Sequence, residues 1–250
     1  MSSREALQGR AKALGLYGLV AHWSEVGTAD WVGSVVEWEE QERGRRGLER
    51  RLQNAHIGRF KQVCDFDWSW PKRCDRATFD ALMTLEFLKE ATNVVLLGPN
   101  GVGKTTLAYN IAYQAVVDGH TALVTNAAKM LGDLASRDSD SALHSRLRHY
   151  ARPSVLVIDE VGYLDYSNRH ADLLFQLVSR RYENKSTIVT ANRPFREWKE
   201  IFPNAACVVS LVDRLLHNAE VLEIEGESYR VKETKETNEK RARKRRVKQS

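Results

Sequence analysis

Two stretches of this chain carry residue types that handle phosphate. Residues 94–108 read VVLLGPNGVGKTTLA: an apolar run, then Gly98-Pro99-Asn100-Gly101-Val102-Gly103-Lys104-Thr105, then Thr106 and a helix-prone segment. Glycines let the backbone curl until several N–H groups face phosphate oxygens, and the positive end of the following helix adds to that field. Lys104 supplies a point charge for the β- and γ-phosphates, and the Thr105 hydroxyl one ligand of a Mg²⁺ bridging them. This is a P-loop in the context it needs, because Asn93–Leu97 reads as a buried strand and Thr106–Val117 as a helix. Further on, the apolar run Ser154-Val155-Leu156-Val157-Ile158 ends in Asp159-Glu160. An apolar strand that delivers two acids to its carboxyl end, where open parallel sheets bind ligands, assigns Asp159 to the metal and Glu160 to polarising an attacking water.

The elements that position these groups follow from apolar patterning. Thr121–Thr125 reads as a second strand after the turn at Gly119-His120, and residues 126–150 as one or two helices. A helix over Ala171–Tyr182 precedes a fourth buried strand, Ser186–Ala191, which ends at Asn192. An amide there is placed to orient the lytic water or sense a γ-phosphate; the alternative is a turn-forming role before Arg193-Pro194. A helix over Ser210–Asn218 and a fifth strand, Glu220–Glu225, complete a doubly wound α/β sheet. Residues 63–80 carry Pro71 and several aromatics and link into this domain; Phe66 or Phe79 is a candidate to border a base, with core packing the alternative for both.

Upstream, residues 1–62 read as a small helical domain: no proline, and apolar positions from Leu7 to Trp38 at helical spacing, broken at Gly27-Thr28-Ala29-Asp30. At 250 residues the chain has room for one large domain or for a domain with a smaller appendage, and 42% hydrophobic with 28% charged residues is ordinary for a globular protein. No apolar run is long enough to cross a bilayer and MSSREALQGR lacks a signal-peptide core, so a cytosolic protein is expected, with no membrane partner. Cys64, Cys74 and Cys207 are widely spaced and read as ordinary thiols.

The net charge of +5 is unevenly spread. Between residues 43 and 61 stand Arg43, Arg45, Arg46, Arg50, Arg51, Arg59 and Lys61 against one acid, Glu49. Arg241, Arg243, Lys244, Arg245, Arg246 and Lys248 form a second block, in a charged segment 232–250 without aromatics that is expected to be disordered. Clustered positive charge is the footprint of a phosphate-backbone partner, and no signature for reading base edges accompanies it.

GPNGVGKT, VLVIDE, TAN, VDRLLHN and GESYR, in this order, resemble an AAA+ ATPase of the DnaC/IstB branch, and the sequence is similar to IstB-type transposition helper ATPases over nearly its whole length. The LLFQLVSRRYENKSTIVTAN and DRLLHNAEVLEIEGESYR blocks, with IDEVGYL, carry the resemblance more specifically than the P-loop does. It implies a P-loop NTPase fold with a five-stranded parallel sheet in the order 5-1-4-3-2, spanning 63–231 behind the helical domain. Carried over, Gly98 to Thr105 is Walker A, Asp159 and Glu160 Walker B, Asn192 sensor one, Arg214 an arginine finger supplied in trans and Arg230 sensor two. Arg137, Arg146 and Arg148 match a segment that faces nucleic acid in related initiators. Many relatives carry Asp-Asp where this chain has Asp159-Glu160.

The implied activity is ATP hydrolysis with Mg²⁺ at sites shared between subunits of a homo-oligomer. The implied partners are double-stranded DNA and a transposase encoded by the same element, with no cleavage or joining of DNA by this chain. A DnaC-like helicase loader is the alternative; a P-loop small-molecule kinase and a platform that uses ATP only as a switch stand further off.

Overall fold

The computed structural model describes residues 3–162, 167–202 and 207–247, divided into two compact units, Met1–Gln53 and Asn54–Ser250. In the first unit, α1 (Ser3–Ala13), α2 (Tyr17–Ala21) and α3 (Trp23–Val26) precede α4 (Asp30–Ala55). Ala11, Trp23, Val32 and Val36 form its small core, with Leu7, Leu14, Leu19 and Val20 packed around them. Trp31 and Trp38 lie outside that core, 52% and 65% exposed, although Trp38 continues the apolar spacing of α4.

The two units divide between Gln53 and Asn54, whereas the helical patterning runs on to residue 62. Residues 61–63 are tied to the second unit, where Asn110 donates to the Lys61 carbonyl and accepts from the Val63 amide.

The second unit opens with the two-residue strand β1 (Arg73–Cys74) and α5 (Arg76–Met83), then alternates β2 (Asn93–Leu97), α6 (Lys104–Val117), β3 (Ala122–Asn126), α7 (Ala127–Ala135), α8 (Asp140–Ala151), β4 (Val155–Val161), α9 (Asn168–Arg181) and β5 (Ser186–Ala191). After α10 (Trp198–Ile201) and α11 (Cys207–Leu216) come β6 (Ala219–Glu225) and α12 (Tyr229–Val247). The sheet order is β1-β6-β2-β5-β4-β3. The five longer strands are mutually parallel and follow the expected 5-1-4-3-2 order; β1 joins the outer edge antiparallel, pairing with Glu225 and Ile224. β2 and β5 are buried throughout, as strands covered on both faces by helices must be, which is why they read as unbroken apolar runs.

Residues 126–150 resolve into two helices. Asn126 caps α7, its Oδ1 accepting from Ala128 and Lys129 amides, and Ser139 caps α8 by accepting from Ala142. The segment from 232 onward, expected to be disordered, continues α12 to Val247. Its Glu, Lys and Arg residues are strong helix formers, and Lys232 and Glu236 attract one another one turn apart.

Arg181, 1% exposed, fastens the opposite end of the sheet from the P-loop. Its guanidinium donates to Thr187 Oγ1 and to the carbonyls of Ala151, Pro153, Ser154 and Ser186, joining the end of α8 to the starts of β4 and β5. Burial pulls its pKa below the ordinary guanidinium value, and only this cage of oxygens offsets the desolvation. Replacing Arg181 with Met strands those acceptors in the core. We predict a loss of about 3 kcal/mol or more in denaturant unfolding of the second unit; a loss under about 1 kcal/mol would show that the cage adds nothing.

Candidate nucleotide site

The P-loop runs from the end of β2 into α6, and its conformation explains its glycines. Gly98 adopts φ +151 with the Ile224 carbonyl of β6 where a Cβ would stand, and Gly103 adopts φ +107 with the Phe66 ring against it. A side chain at either position would push the loop off its neighbour. Lys104, the first residue of α6, is 8% exposed, and its Nζ donates to the Gly98 and Pro99 carbonyls at 2.7 Å each. Burial lowers its pKa to about 8, against the opposing pull of Asp159.

Asp159 is 5% exposed. Its Oδ1 accepts from Thr105 Oγ1 at 3.0 Å and from Thr190 Oγ1 at 2.5 Å, and Oδ2 accepts from the Tyr109 hydroxyl at 3.4 Å. Burial, then the Asp159 charge, holds the Tyr109 phenol up at about 12, so it stays a donor. Both acids lie inside β4 and not at its end, because the β4–β5 register shifts between Ile158 and Val161. Glu160 takes the left-handed φ of +62 within this bulge. That backbone is costly for a residue with a Cβ and concentrates at functional sites. Thr190 Oγ1 accepts from the Glu160 amide while donating to Asp159, so one hydroxyl holds both ends of the irregularity.

The Glu160 carboxylate accepts from Asn126 Nδ2 at 2.6 Å. Because Asn126 Oδ1 is committed to the α7 amides, its NH₂ has to face Glu160. Asn192 Oδ1 is buried with no hydrogen-bond partner and lines a recess with Asn100, Gly101, Lys104, Thr105, Glu160, Thr190 and Arg230. An orphaned acceptor facing a buried ammonium, two hydroxyls and an acid fits a triphosphate and its attacking water. Thr105 Oγ1 and Asp159 Oδ1 are hard oxygens of the kind Mg²⁺ takes in small number beside phosphate.

A second cleft continues from this recess, lined by Lys61, Phe66, Trp70, Gly101 to Thr106, Tyr229, Arg230 and Glu233. Phe66 therefore stands at the cleft, whereas Phe79, 1% exposed, packs in the core beside Trp68. Lys61 lies over the Tyr229 ring at 4.7 Å and 3.4 Å from Glu233, which places it in the cleft wall and not on the basic helix, since α4 ends at Ala55.

The remaining candidates lie elsewhere. Arg214 lines neither cavity: its guanidinium covers the Phe175 ring at 4.6 Å and hydrogen-bonds Ser179 on α9. Arg137 and Arg146 both grip Asp133, which they and Tyr150 hold down at about 2 despite its partial burial. Both charges are thus engaged by an acid of the same chain, in the segment that the resemblance places facing nucleic acid. Arg148 is exposed with no ion partner among the described residues. On α4, Arg43 pairs with Glu39, Arg45 with Glu42 and Glu49, and Arg46 with Glu42; exposed pairs of this kind bind weakly. Arg50 and Arg59 are exposed without such partners among the described residues, and Arg51 is half-buried with a partner. The IDEVGYL block passes outside the described residues at Tyr163 and Leu164, as the second basic block does at Lys248.

Asn126, Thr190 and Tyr109 are the site residues that motif reading missed. Thr190 stood in the quoted TAN block, but its double hydrogen bond depends on a bulge that patterning does not show.

A five-strand parallel core with a P-loop at its centre, a bulged acid pair beside it and an amide-tipped neighbouring strand defines an ATPase of the AAA+ class. The fold is similar to that of DnaI, whose crystal structure superposes with a TM-score of 0.57 at 21% identity, over 67% of this chain and 92% of that one. A family model described as IstB-like ATP binding protein matches residues 3–237, and the chain belongs to that family. It is 36% identical over 209 residues to the ATP-binding protein of insertion sequence IS21 from Pseudomonas aeruginosa, covering 84% of this chain and 79% of that one. To its counterpart in insertion sequence IS5376 from Geobacillus stearothermophilus it is 32% identical, covering 85% and 84%.

The Lys104 pKa of about 8 lies below the ordinary 10.5. Its burial penalty is therefore complete below pH 8 and fades as pH rises to 10.5, so without nucleotide this group favours folding at higher pH across that window. Triphosphate binding has the opposite sign, because it requires the ammonium. ATP affinity is expected to fall above pH 8, by up to about tenfold per unit. Titration calorimetry at pH 9 in buffers of different ionisation enthalpy should register proton uptake, and Lys104→Arg should remove it. An affinity flat from pH 7 to 10 would refute the assignment.

Proposed function

We propose that this chain is an ATP-dependent, DNA-binding regulator of transposition acting in the cytoplasm. It binds ATP with Mg²⁺, assembles with copies of itself on target duplex DNA, remodels that DNA and recruits a transposase encoded by the same element; hydrolysis then resets the assembly. The observation that carries the reading is that the family match runs through both units, from residue 3 to 237, and that the relatives it aligns with are named for insertion sequences.

Within the recess, Lys104 and the loop amides hold the β- and γ-phosphates, and Arg230 approaches them from α12. Thr105 and Asp159 would hold the Mg²⁺, which neutralises phosphate charge. Glu160 takes the proton of a water as its oxygen bonds to the γ-phosphorus and the bond to the bridging oxygen of ADP breaks. Asn192 Oδ1 accepts a hydrogen bond from the other O–H of that water and keeps it in line. Asn126 holds Glu160 by one carboxylate oxygen, Oε2, which orients the acid and leaves its second oxygen to take the proton.

Arg214 supports a shared site. It is absent from both cavities of its own chain, is half-buried on the α9–α11 face, and is pre-oriented by Phe175 and Ser179. An arginine offered there to a neighbouring copy's γ-phosphate would couple hydrolysis to assembly, with a typical gain of about 10³-fold or more. Arg43, Arg45, Arg46, Arg50, Arg51 and Arg59 with Arg148 provide backbone contacts to DNA. Arg137 and Arg146 contribute there only by exchanging Asp133 for phosphate.

Duplex-DNA binding by the full chain, with ATP, ADP or no nucleotide and across a salt series, tests this reading while particle size is followed in parallel. Binding should appear with ATP, accompany large particles and weaken steeply with salt, and Lys104→Ala should abolish all three. A chain that stays small and ignores duplex DNA would turn the reading toward a helicase loader with a protein partner. Separately, Arg214→Ala should bind nucleotide yet lose hydrolysis, and mixing it with inactive Glu160→Gln should restore part of the activity. The absence of rescue at every mixing ratio would argue against a site completed in trans.

A further inference from the structure

One feature of the second unit has no part in the ATPase chemistry: α12 changes character along its length. From Tyr229 to Glu239 its charges balance, with Arg230, Lys232 and Lys235 against Glu233, Glu236 and Glu239. From Lys240 to Arg246 it carries Lys240, Arg241, Arg243, Lys244, Arg245 and Arg246 with no acid among them. The basic part begins beyond residue 237, where the family match ends, so the family architecture does not account for it.

The balanced half is built into the nucleotide cleft. Tyr229, Arg230 and Glu233 line the cavity. Lys232 bonds Asp67 at 2.9 Å and lies over the Trp70 ring at 4.4 Å, Lys61 reaches Glu233, and the Trp70 indole donates to the Glu227 carbonyl just before the helix. The Ser69 hydroxyl, with Lys232, holds the Asp67 carboxyl down at about 2, so this anchor is ionised at all physiological pH. The basic half begins about 15 Å further along the helix axis, at 1.5 Å per residue from Arg230.

Charge chemistry identifies what the basic half meets. Like charges at i,i+3 and i,i+4, such as Lys240 with Arg243 and Lys244, or Arg241 with Arg245, disfavour a helix unless anions lie alongside. A membrane-surface helix would need an apolar face, and between Lys232 and Arg246 the sequence has only Ala242 to offer. Evenly spaced, dense negative charge without apolar surface is a nucleic-acid backbone.

We propose that the basic end of α12 is an arm that binds the phosphate backbone of duplex DNA, held on the wall of the ATP cleft by its balanced half. The proposal rests on the DNA-binding reading above for its partner, and adds a contact outside the family architecture. Its consequence is that nucleotide in the cleft, touching Tyr229 and Arg230, sets how firmly the arm is presented.

The test compares the full chain with a variant in which Lys240, Arg241, Arg243, Lys244, Arg245 and Arg246 are all changed to Gln. Duplex binding is measured by anisotropy with and without ATP from 50 to 300 mM salt. ATP turnover without DNA serves as the control for folding, since these positions begin about 15 Å along the helix axis from Arg230. The arm predicts an affinity at least tenfold lower for the Gln variant, and a log–log salt slope shallower by about 3 to 5, near 0.9 per phosphate released. A second variant with the four arginines changed to lysine should keep both affinity and slope, because backbone neutralisation needs charge and not guanidinium geometry. Equal affinity and slope for parent and Gln variant would overturn the arm and leave the DNA-binding function standing. No duplex binding by the parent would overturn both. A Gln variant that loses affinity equally with and without ATP would remove the link to the cleft.

Discussion

A buried carboxylate organises the second unit. Asp159 has almost no contact with solvent, and an ionised acid persists there only when donors surround it. Those donors come from two other elements: Thr105 and Tyr109 from α6, and Thr190 from β5. Satisfying one side chain therefore fixes the first turns of α6 over the junction of β4 and β5. It also requires the chain leaving β2 to turn back on itself within the P-loop, which explains why Gly98 and Gly103 sit where no Cβ fits. Lys104 is buried on the same seam, its ammonium opposed to Asp159 in charge but bonded to loop carbonyls. The low dielectric that depresses the Lys104 pKa also strengthens its attraction for any phosphate that enters.

Much of this was legible in the sequence because it is written in local or periodic terms. β2 and β5 were read with their observed limits, since strands buried on both faces are unbroken apolar runs. The strand order came with the family resemblance, and the short β1 was hidden because two residues carry no pattern. The bulge at Glu160 was also hidden: it moves the acids from the end of a strand into its interior, and it depends on a hydroxyl from a neighbouring strand. The roles of Asn126 and Thr190 arise only when β3, β4 and β5 lie side by side.

Charge misled in an instructive way. Counting from Arg43 onward isolated a basic run, yet the acids that pair with it, Glu39 and Glu42, lie just before the window, one helical turn away. Arg137 and Arg146 looked free because their partner Asp133 belongs to the preceding helix. The segment from Lys232 on looked disordered because it is charged and lacks aromatics, but helix propensity and an ionic and aromatic anchor at its base order it. Composition measures what a segment can bury; it does not register what the segment can lean on.

The outer edge of the sheet bears on how copies of this chain can meet. β6 pairs with β2 on one side, and on the other, among the described residues, is met by β1 only at Glu225 and Ile224. Its remaining length exposes Glu220, Val221 and Glu223. A strand from another copy, laid along this edge in antiparallel or parallel register, would bring glutamates against glutamates, and exposed acids of this kind discourage edge-to-edge growth. At the high local density that the proposed assembly on DNA would create, this edge thus carries little risk of runaway β-sheet aggregation.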